Sequence, residues 1–129
     1  MVTHPASIRI KRVYDPPDRA DGMRILVDRL WPRGLRKEKA ALSLWFKDVA
    51  PSPGLRKWFG HDPARWQEFS RRYRAELAAN KVAIDQMRDF LKQGSVTLLY
   101  AAHDTEHNHA IVLAEYLRTH VRNQGKEKS

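Results

Sequence analysis

The run Val-Thr-Leu-Leu-Tyr-Ala-Ala at positions 96–102 constrains the fold of this chain more than any other stretch. It lacks the apolar and polar alternation of a half-exposed strand, so it predicts a strand covered on both faces. After a polar loop, apolar residues recur at helical spacing at Ala110, Leu113, Ala114, Leu117 and Val121. A strand, a loop and a helix in this order form a β-loop-α unit, which favours a parallel sheet.

Other segments supply further elements of such a sheet. Residues 7–14 alternate apolar and charged side chains, which predicts a strand near a sheet edge, and 23–30 predict a second strand. The Pro, Asp and Gly residues of 15–22 predict a turn or bulge between them. Weaker patterns indicate a short helix at 36–41 and a short strand or extended stretch at 42–47.

Two proline-containing motifs predict helix starts. In Ser52-Pro53 and Asp62-Pro63, a capping side chain precedes a proline at the first helical position. Gly60 is suited to end the first helix. Helical periodicity then continues to Gly94, with Asn80 either between two helices or inside one.

These elements predict an α/β fold: a single small three-layer domain with a mostly parallel sheet and helices on both faces. A chain of 129 residues can bury a core of this kind without disulfide or metal cross-links. The predicted domain covers residues 1–122. The polar residues 123–129 predict a disordered tail.

Composition narrows the classes of function. The sequence contains no cysteine, which excludes disulfides, thiolate metal sites and thiol nucleophiles. No apolar run approaches the roughly 20 residues that span a bilayer, and the first residues lack the apolar core of a signal peptide. We therefore expect a cytoplasmic protein without a membrane partner.

The charge balance favours an anionic partner. Lys and Arg number 24 against 15 Asp and Glu, giving a net charge of +9 and an isoelectric point near 10.2. Nucleic acid is a possible partner on this ground, although the same excess also serves solubility. The positive charge is spread along the chain, although residues 71–74 and 122–128 are locally dense in basic side chains. This even distribution weakens the prediction of a nucleic-acid partner.

Polar residues follow two of the predicted strands. Asp28 and Arg29 stand at the carboxyl end of the second strand and Arg33 follows it, and the seven residues His103 to His109 come after the apolar strand. Ligands bind parallel sheets at the carboxyl ends of the strands. If these two strands are neighbours, the motifs form one composite site in which the arginines hold a small anion.

The start of the last helix decides which residues of the histidine-rich loop point inward. With Asp104 as N-cap, Glu106 lies on the same side as the apolar helix face and His107 lies beside it. Glu106 and His107 are therefore the candidate catalytic pair, transferring protons in a hydrolytic or transfer reaction. The simpler alternative is that Asp104 only caps the helix and Glu106 is a favourable first-turn acid.

A metal site is a further alternative. Imidazole and carboxylate ligands are available at His103, Asp104, His107 and His109, but their spacing matches no familiar metal motif. Neither a glycine-rich phosphate loop nor a Gly-x-Ser-x-Gly elbow is present.

Two further residues are candidates for lining a pocket. Trp31 stands at the end of the second strand beside Pro32, and His61 lies in a turn between two capped helices. Such a turn can direct a polar side chain into a cleft. Trp31 and His61 are therefore predicted to contact a ligand.

Three motifs in order also carry a family resemblance: Asp-Arg-Leu-Trp-Pro-Arg-Gly at 28–34, Trp-Phe-Gly-His-Asp-Pro at 58–63, and Leu-Tyr-Ala-Ala at 99–102 with the loop that follows. The chain resembles the domain-of-unknown-function family 488, in particular its YeaO-like branch. The resemblance implies a small α/β domain from bacteria or archaea and supplies no established reaction. The positions carried over by matching motifs are Asp28, Arg29, Trp31, Arg33, His61, Asp62, Asp104, Glu106, His107 and Asn108.

One position departs from the wider family. Other branches look as if they carry cysteine near position 108, followed by His and Arg, where this chain has Asn108-His109-Ala110. The departure removes any thiol mechanism. Three functions stay open: a binding site for a small anion with or without acid/base catalysis, a nucleic-acid-binding or regulatory module, and a metal-dependent enzyme. The sequence assigns neither a cofactor nor an oligomeric state.

Overall fold

The computed structural model describes the backbone of residues 7–127 and the side chains of residues 7–120. Within this part of the chain, four parallel strands form one sheet in the order β1-β4-β2-β3. The strands are β1 (Ile8–Arg12), β2 (Met23–Leu26), β3 (Leu44–Trp45) and β4 (Val96–Tyr100).

Strand β4 lies at the centre of the sheet. Val96 pairs with Ile8 of β1 on one side and with Met23 of β2 on the other. All five residues of β4 are buried, as its unbroken apolar pattern predicts, and β1 lies at an edge, as its alternating pattern predicts. The predicted α/β fold with a parallel sheet is confirmed.

Among residues 7–127, five α-helices accompany the sheet: α1 (Lys37–Ala40), α2 (Pro53–Phe59), α3 (Trp66–Ala79), α4 (Lys81–Gln93) and α5 (His109–Glu127). The hydroxyl of Ser52 accepts a hydrogen bond from the amide of Leu55, which confirms the predicted cap of α2. The carboxylate of Asp62 accepts one from the amide of Ala64 and begins a short 3-10 turn that leads directly into α3. Asn80 separates α3 from α4.

The two faces of the sheet are covered differently. On one face, α2 to α5 bury a large apolar core that contains Tyr73, Met87, Leu113 and Leu117. On the other face, Val13, Leu26 and Leu99 pack under side chains from the segment 31–45. This second layer contains one helix of only four residues, α1, and is otherwise irregular.

A buried ion pair holds the irregular layer against the sheet. The guanidinium of Arg24 in β2 lies 2.6 Å from the carboxylate of Asp21, and it also donates to the backbone oxygens of Ala40 and Ala41. Lys11 lies 3.1 Å from the same carboxylate. Burial disfavours the Asp21 carboxylate, but the hydrogen bonds from Lys11 and Arg24 outweigh it and hold its pKa below the ordinary value.

Gly22 allows β2 to begin beside β4. Its φ of +63° lies in the left-handed region, and a Cβ atom at this position would collide with the backbone oxygen of Ser95. Glycine is therefore required both by the backbone conformation and by the available space.

Several element boundaries differ from the sequence pattern. Strand β2 ends at Leu26 rather than Leu30. Residues 28–31, which the pattern assigns in part to the strand, lie beyond its end and line a cavity. Helix α5 begins at His109, and it extends to Glu127 through most of the predicted tail. Residues 128 and 129 of that tail lie outside the described residues, and the domain limits 1–122 stay a prediction. None of the helices in the part of the chain that the structure describes has the length and hydropathy of a membrane-spanning segment.

Candidate functional site

A cavity of about 660 Å³ opens at the carboxyl ends of β2 and β4. These strands are neighbours in the sheet, so the condition for a composite site is met. The cavity is lined by residues 28–33 after β2, by 101–104 and 107–109 after β4, and by Tyr14, Ala50, Pro51, Arg56, Phe59, His61 and Phe69. Most of the residues predicted to form a ligand site are thus brought together.

Asp28 connects the two strand ends. One carboxylate oxygen, Oδ2, accepts a hydrogen bond from the amide of Ala101 at 3.1 Å. The other, Oδ1, lies 3.0 Å from Nε2 of His109 at the start of α5. The same Nε2 lies 3.0 Å from the backbone oxygen of Val27, which meets the geometry of a hydrogen bond, whereas Oδ1 of Asp28 is buried without such a bond. Since a carbonyl oxygen only accepts, Nε2 of His109 carries a proton.

The two predicted anion-binding arginines have different environments. The guanidinium of Arg29 donates to the backbone oxygens of Pro51 and Ala50, both at 3.2 Å. Arg29 therefore fixes the segment that leads into α2, in addition to lining the cavity. The side chain of Arg33 is exposed at the cavity, where its guanidinium is accessible to a ligand.

Trp31 and His61 both line the cavity, as predicted, and Asp62 does not. The indole Nε1 of Trp31 donates to the backbone oxygen of Leu35 at 2.8 Å, which fixes the orientation of the ring. His61 has a φ of +59°, an unfavourable conformation for a residue with a side chain. Asp62 serves instead as the cap described above.

Asp104 and His107 form a hydrogen-bonded pair at the cavity. Oδ1 of Asp104 accepts from the amides of Glu106 and His107 at 2.9 and 3.0 Å, and Oδ2 lies 3.0 Å from Nδ1 of His107. The amide of Glu106, followed by the bonds to His107, outweighs partial desolvation and lowers the pKa of Asp104. Because an ionised carboxylate only accepts, the neutral imidazole carries its proton on Nδ1 and leaves Nε2 as an acceptor.

The predicted inward position of Glu106 is wrong. Its side chain is exposed and lies outside the cavity lining, and no carboxylate of Glu106 pairs with His107. The physical reason is that α5 begins at His109, so that the 100° rotation per residue of a helix does not apply to 105–108. The partner of His107 is Asp104.

Asn108 holds the start of α5. Its side chain is buried, its Oδ1 accepts from the amide of Ile111 at 3.2 Å, and its Nδ2 donates to the backbone oxygen of Asp104 at 3.0 Å. Asn108 therefore caps α5 in the position predicted for Asp104, while Asp104 organises the preceding turn. Both side chains satisfy backbone groups that the loop would otherwise leave unpaired.

The alternative metal set is not assembled. Over the described part of the chain, no three His, Asp or Glu side chains converge in a geometry that could hold a metal ion. His103 is exposed, Asp104 and His107 bind each other, and His109 contacts Val27 and Asp28. The geometry gives a metal-dependent mechanism no support.

Several residues that the sequence patterns do not single out contribute to the site. Arg56 and Phe59 lie on α2 and line the cavity, and the ring of Phe59 stacks on that of Phe69 at 4.3 Å between centroids. Arg12 donates to the backbone oxygens of Ala101 and Ala102, which fixes the loop after β4. The N-cap at Ser52 could have indicated Arg56, because a helix that starts after Ser52 places Arg56 about one turn from its beginning.

Comparisons with known proteins agree with the resemblance seen in the sequence. The family model described as "Inactive DUF488-N3 subclade" matches residues 7–129. The chain is 47% identical over 113 residues to uncharacterized protein YeaO of Escherichia coli K12, which covers 88% of this chain and 98% of the relative. It is 43% identical over 110 residues to uncharacterized protein Rv3073c of Mycobacterium tuberculosis H37Rv, covering 85% and 92%.

The uncharacterized protein Mb3100c of Mycobacterium bovis is similar to the same degree, 43% over 110 residues. No solved structure matches the chain significantly. The family model and the relatives cover nearly the whole of the described fold, including both polar motifs at the strand ends. The chain therefore belongs to the DUF488 family, in the subclade whose description reads inactive.

Proposed function

We propose that this protein binds a small anionic ligand in the cavity at the carboxyl ends of β2 and β4, and that its role is binding rather than catalysis. The observation that carries the proposal is the position of Arg33 and Arg56. Both have exposed side chains, and both line one cavity from different segments of the chain. Guanidinium groups bind carboxylates and phosphates through paired hydrogen bonds, which makes such a wall suitable for an anion.

The carboxylates of the cavity do not oppose this arrangement strongly. Asp104 accepts three hydrogen bonds from its own loop, and Asp28 accepts one from Ala101 and lies beside His109. Each carboxylate thus accepts at least one hydrogen bond from a nearby backbone amide. The net charge of +9 adds a long-range attraction for anions.

Several features support binding without chemistry. The chain has no thiol, and the side-chain amide of Asn108 binds backbone groups at both ends, Oδ1 the amide of Ile111 in α5 and Nδ2 the backbone oxygen of Asp104. Asp104 and His107 are the pair that could transfer a proton, and no Ser, Thr or Cys is among the described residues that line the cavity. Because an anion only accepts, Nε2 contributes to binding when the imidazole of His107 is protonated and donates a hydrogen bond to the ligand. The description of the family model as inactive is consistent with this role.

The nucleic-acid alternative has less support from the geometry. In the dense basic stretch of α3, Arg71 and Arg72 bind Glu68, and Arg74 binds Glu115. These pairs reduce the positive charge that this surface can offer to phosphates.

Absence of cysteine and of a membrane-spanning helix in the described residues supports, as part of the proposal, a cytoplasmic location.

Calorimetric titration with inorganic phosphate, sulfate, acetate, benzoate and phenyl phosphate tests the proposal. We expect at least one anion to bind the native protein and the variant Arg33→Ala/Arg56→Ala to bind it at least about tenfold more weakly, since charged hydrogen bonds are lost. The matched control is Arg36→Ala/Lys57→Ala, which removes the same charge outside this cavity and should bind normally.

Two results would overturn the proposal. One is the absence of binding by every anion of the panel. The other is equal binding by the cavity variant and its control, which would show that overall charge suffices. A duplex oligonucleotide serves as a further probe: tight binding that is unchanged in the cavity variant would favour the nucleic-acid alternative instead.

A further inference from the structure

We infer that the ligand of this cavity is an aromatic anion, a flat ring that carries a carboxylate or a phosphate. The inference rests on the proposed function and deepens it by naming the ligand class. It follows from the placement of Arg56 and Phe59, from the apolar character of the cavity wall and from its size.

Arg56 and Phe59 lie three residues apart on α2 and both line the cavity. Residues at this spacing are neighbours on one face of a helix, with Cβ atoms about 5–6 Å apart. A guanidinium and an aromatic ring carried by two such neighbouring positions correspond to the two parts of an aromatic acid. The acidic group would meet Arg56 while the ring lies against Phe59.

Nine of the 20 residues that line the cavity are apolar. They are Leu30, Trp31, Pro32, Ala50, Pro51, Phe59, Phe69, Ala101 and Ala102. An inorganic anion gains nothing from such contacts, because it would lose hydration to a surface without donors. A ligand with an apolar body gains stability by covering the same surface.

Planar groups face the cavity from separate segments. Phe59 and Phe69 stack with 22° between their planes, Trp31 comes from the loop after β2, and the ring of His61 lies 6.3 Å from that of Phe59. Aromatic side chains contact flat rings favourably through offset stacking and edge-to-face packing. The wall is therefore better suited to an aromatic ring than to a puckered one.

The backbone at His61 supports a binding role for this wall. His61 has a φ of +59° directly after Gly60, whose φ is +54°. A side-chain-bearing residue in the left-handed region is costly and persists where the surrounding structure enforces it, often at ligand sites. Here the unusual conformation places the imidazole in the lining of the cavity.

The volume also agrees with this ligand class. About 660 Å³ lies within the range of small-molecule sites, roughly 300–1,000 Å³, and far exceeds what a single phosphate or sulfate fills. A ring system of one or two rings with its acidic group fits such a space.

The test compares ligands that differ in one property. Benzoate, indole-3-carboxylate and phenyl phosphate supply the ring, acetate and inorganic phosphate supply only the charge, and cyclohexanecarboxylate supplies an apolar but puckered body. We expect benzoate to bind at least tenfold more tightly than acetate and severalfold more tightly than cyclohexanecarboxylate. Equal affinity for acetate and benzoate would overturn the inference. Equal affinity for benzoate and cyclohexanecarboxylate would also overturn it.

A cavity-filling variant adds a second readout. Ala102 lines the cavity, so Ala102→Leu should weaken benzoate binding at least tenfold while leaving the arginines in place. Ala64→Leu changes an exposed alanine outside the lining and is the matched control. Circular dichroism would show whether Ala102→Leu disturbs folding. In that case Ala102→Val, with a smaller side chain, should fold and show a smaller reduction in benzoate affinity.

The outcomes separate this inference from the proposed function. If inorganic phosphate binds as tightly as phenyl phosphate and depends on Arg33 and Arg56, the anion site stands and the aromatic class is wrong. If benzoate binds equally to native protein, Ala102→Leu and Ala64→Leu, the aromatic ligand does not occupy this cavity. If no anion binds at all, the proposed function itself fails.

Discussion

Nε2 of His109 lies 3.0 Å from Oδ1 of Asp28, and this contact places the start of α5 against the end of β2. The second oxygen of Asp28 accepts from the amide of Ala101 at the end of β4. One carboxylate therefore connects two neighbouring strands and a helix at the edge of the cavity. Asp28, predicted as a ligand-binding residue, has at least a positioning role for the residues around it.

We expect Asp28→Ala to lower the free energy of unfolding by about 1–3 kcal/mol, because the amide of Ala101 loses its acceptor in a partly buried position. Asp28→Asn keeps an oxygen at the same place and should cost less. Urea denaturation of both variants measures the difference. Equal stability of native protein and Asp28→Ala would show that the contact contributes nothing.

The pH dependence of stability should report the environment of Asp104. Its pKa is lowered from 3.8 in the folded chain, chiefly by the amide of Glu106. A lowered folded-state pKa gives a stabilisation that is present above 3.8 and disappears as the pH falls through the lower folded value. The gap in stability between native protein and Asp104→Asn should therefore be largest above pH 3.8 and close below it. A gap that widens with acid would contradict this assignment.

The sequence predicts those parts of the fold that depend on local pattern. The buried central strand follows from the unbroken apolar run at 96–100, and the start of α2 follows from the side chain of Ser52. The meeting of the motifs after β2 and β4 follows from a general property of parallel sheets. Each of these inferences needs only periodicity, capping or topology.

Features that depend on contacts distant in sequence were missed or misplaced. The guanidinium of Arg29 binds the backbone oxygen of Ala50, 21 residues away, and Arg24 holds Ala40 and Ala41 against the sheet. Glu106 lies elsewhere than helical periodicity predicts, because residues 105–108 form a loop and α5 begins only at His109. A pattern of residue types does not determine which distant residues pair. It also locates the first residue of a helix only to within a few positions.

The buried pair of Asp21 and Arg24 should be important for stability. Both residues are nearly inaccessible, at 1% and 4% exposure, so Asp21→Asn would leave a buried guanidinium without its counter-charge. We expect a loss of about 3–5 kcal/mol in the free energy of unfolding. The double variant Asp21→Asn/Arg24→Met should lose less than the single one, since no buried charge remains.

Asp18→Asn is the control for that experiment, because Asp18 is exposed on the same turn and asparagine also caps well. Its unfolding free energy should stay within about 0.5 kcal/mol of the native value. A loss for Asp21→Asn as small as that for Asp18→Asn, measured in the same urea titrations, would show that the pair does not stabilise the irregular layer.

Two histidines at the cavity should show opposite tautomers when neutral. Nδ1 of His107 faces a carboxylate oxygen of Asp104, so its proton lies on Nδ1, whereas Nε2 of His109 faces the backbone oxygen of Val27 and carries the proton there. Long-range proton–nitrogen NMR spectra at alkaline pH distinguish these forms. Glu106→Gln should leave both tautomers unchanged, because the carboxylate of Glu106 is exposed outside the cavity. Asp104→Asn should shift His107 toward the Nε2 form, since the neutral amide is a weaker acceptor. A change at His107 in Glu106→Gln, with none in Asp104→Asn, would instead restore Glu106 as the partner of this imidazole.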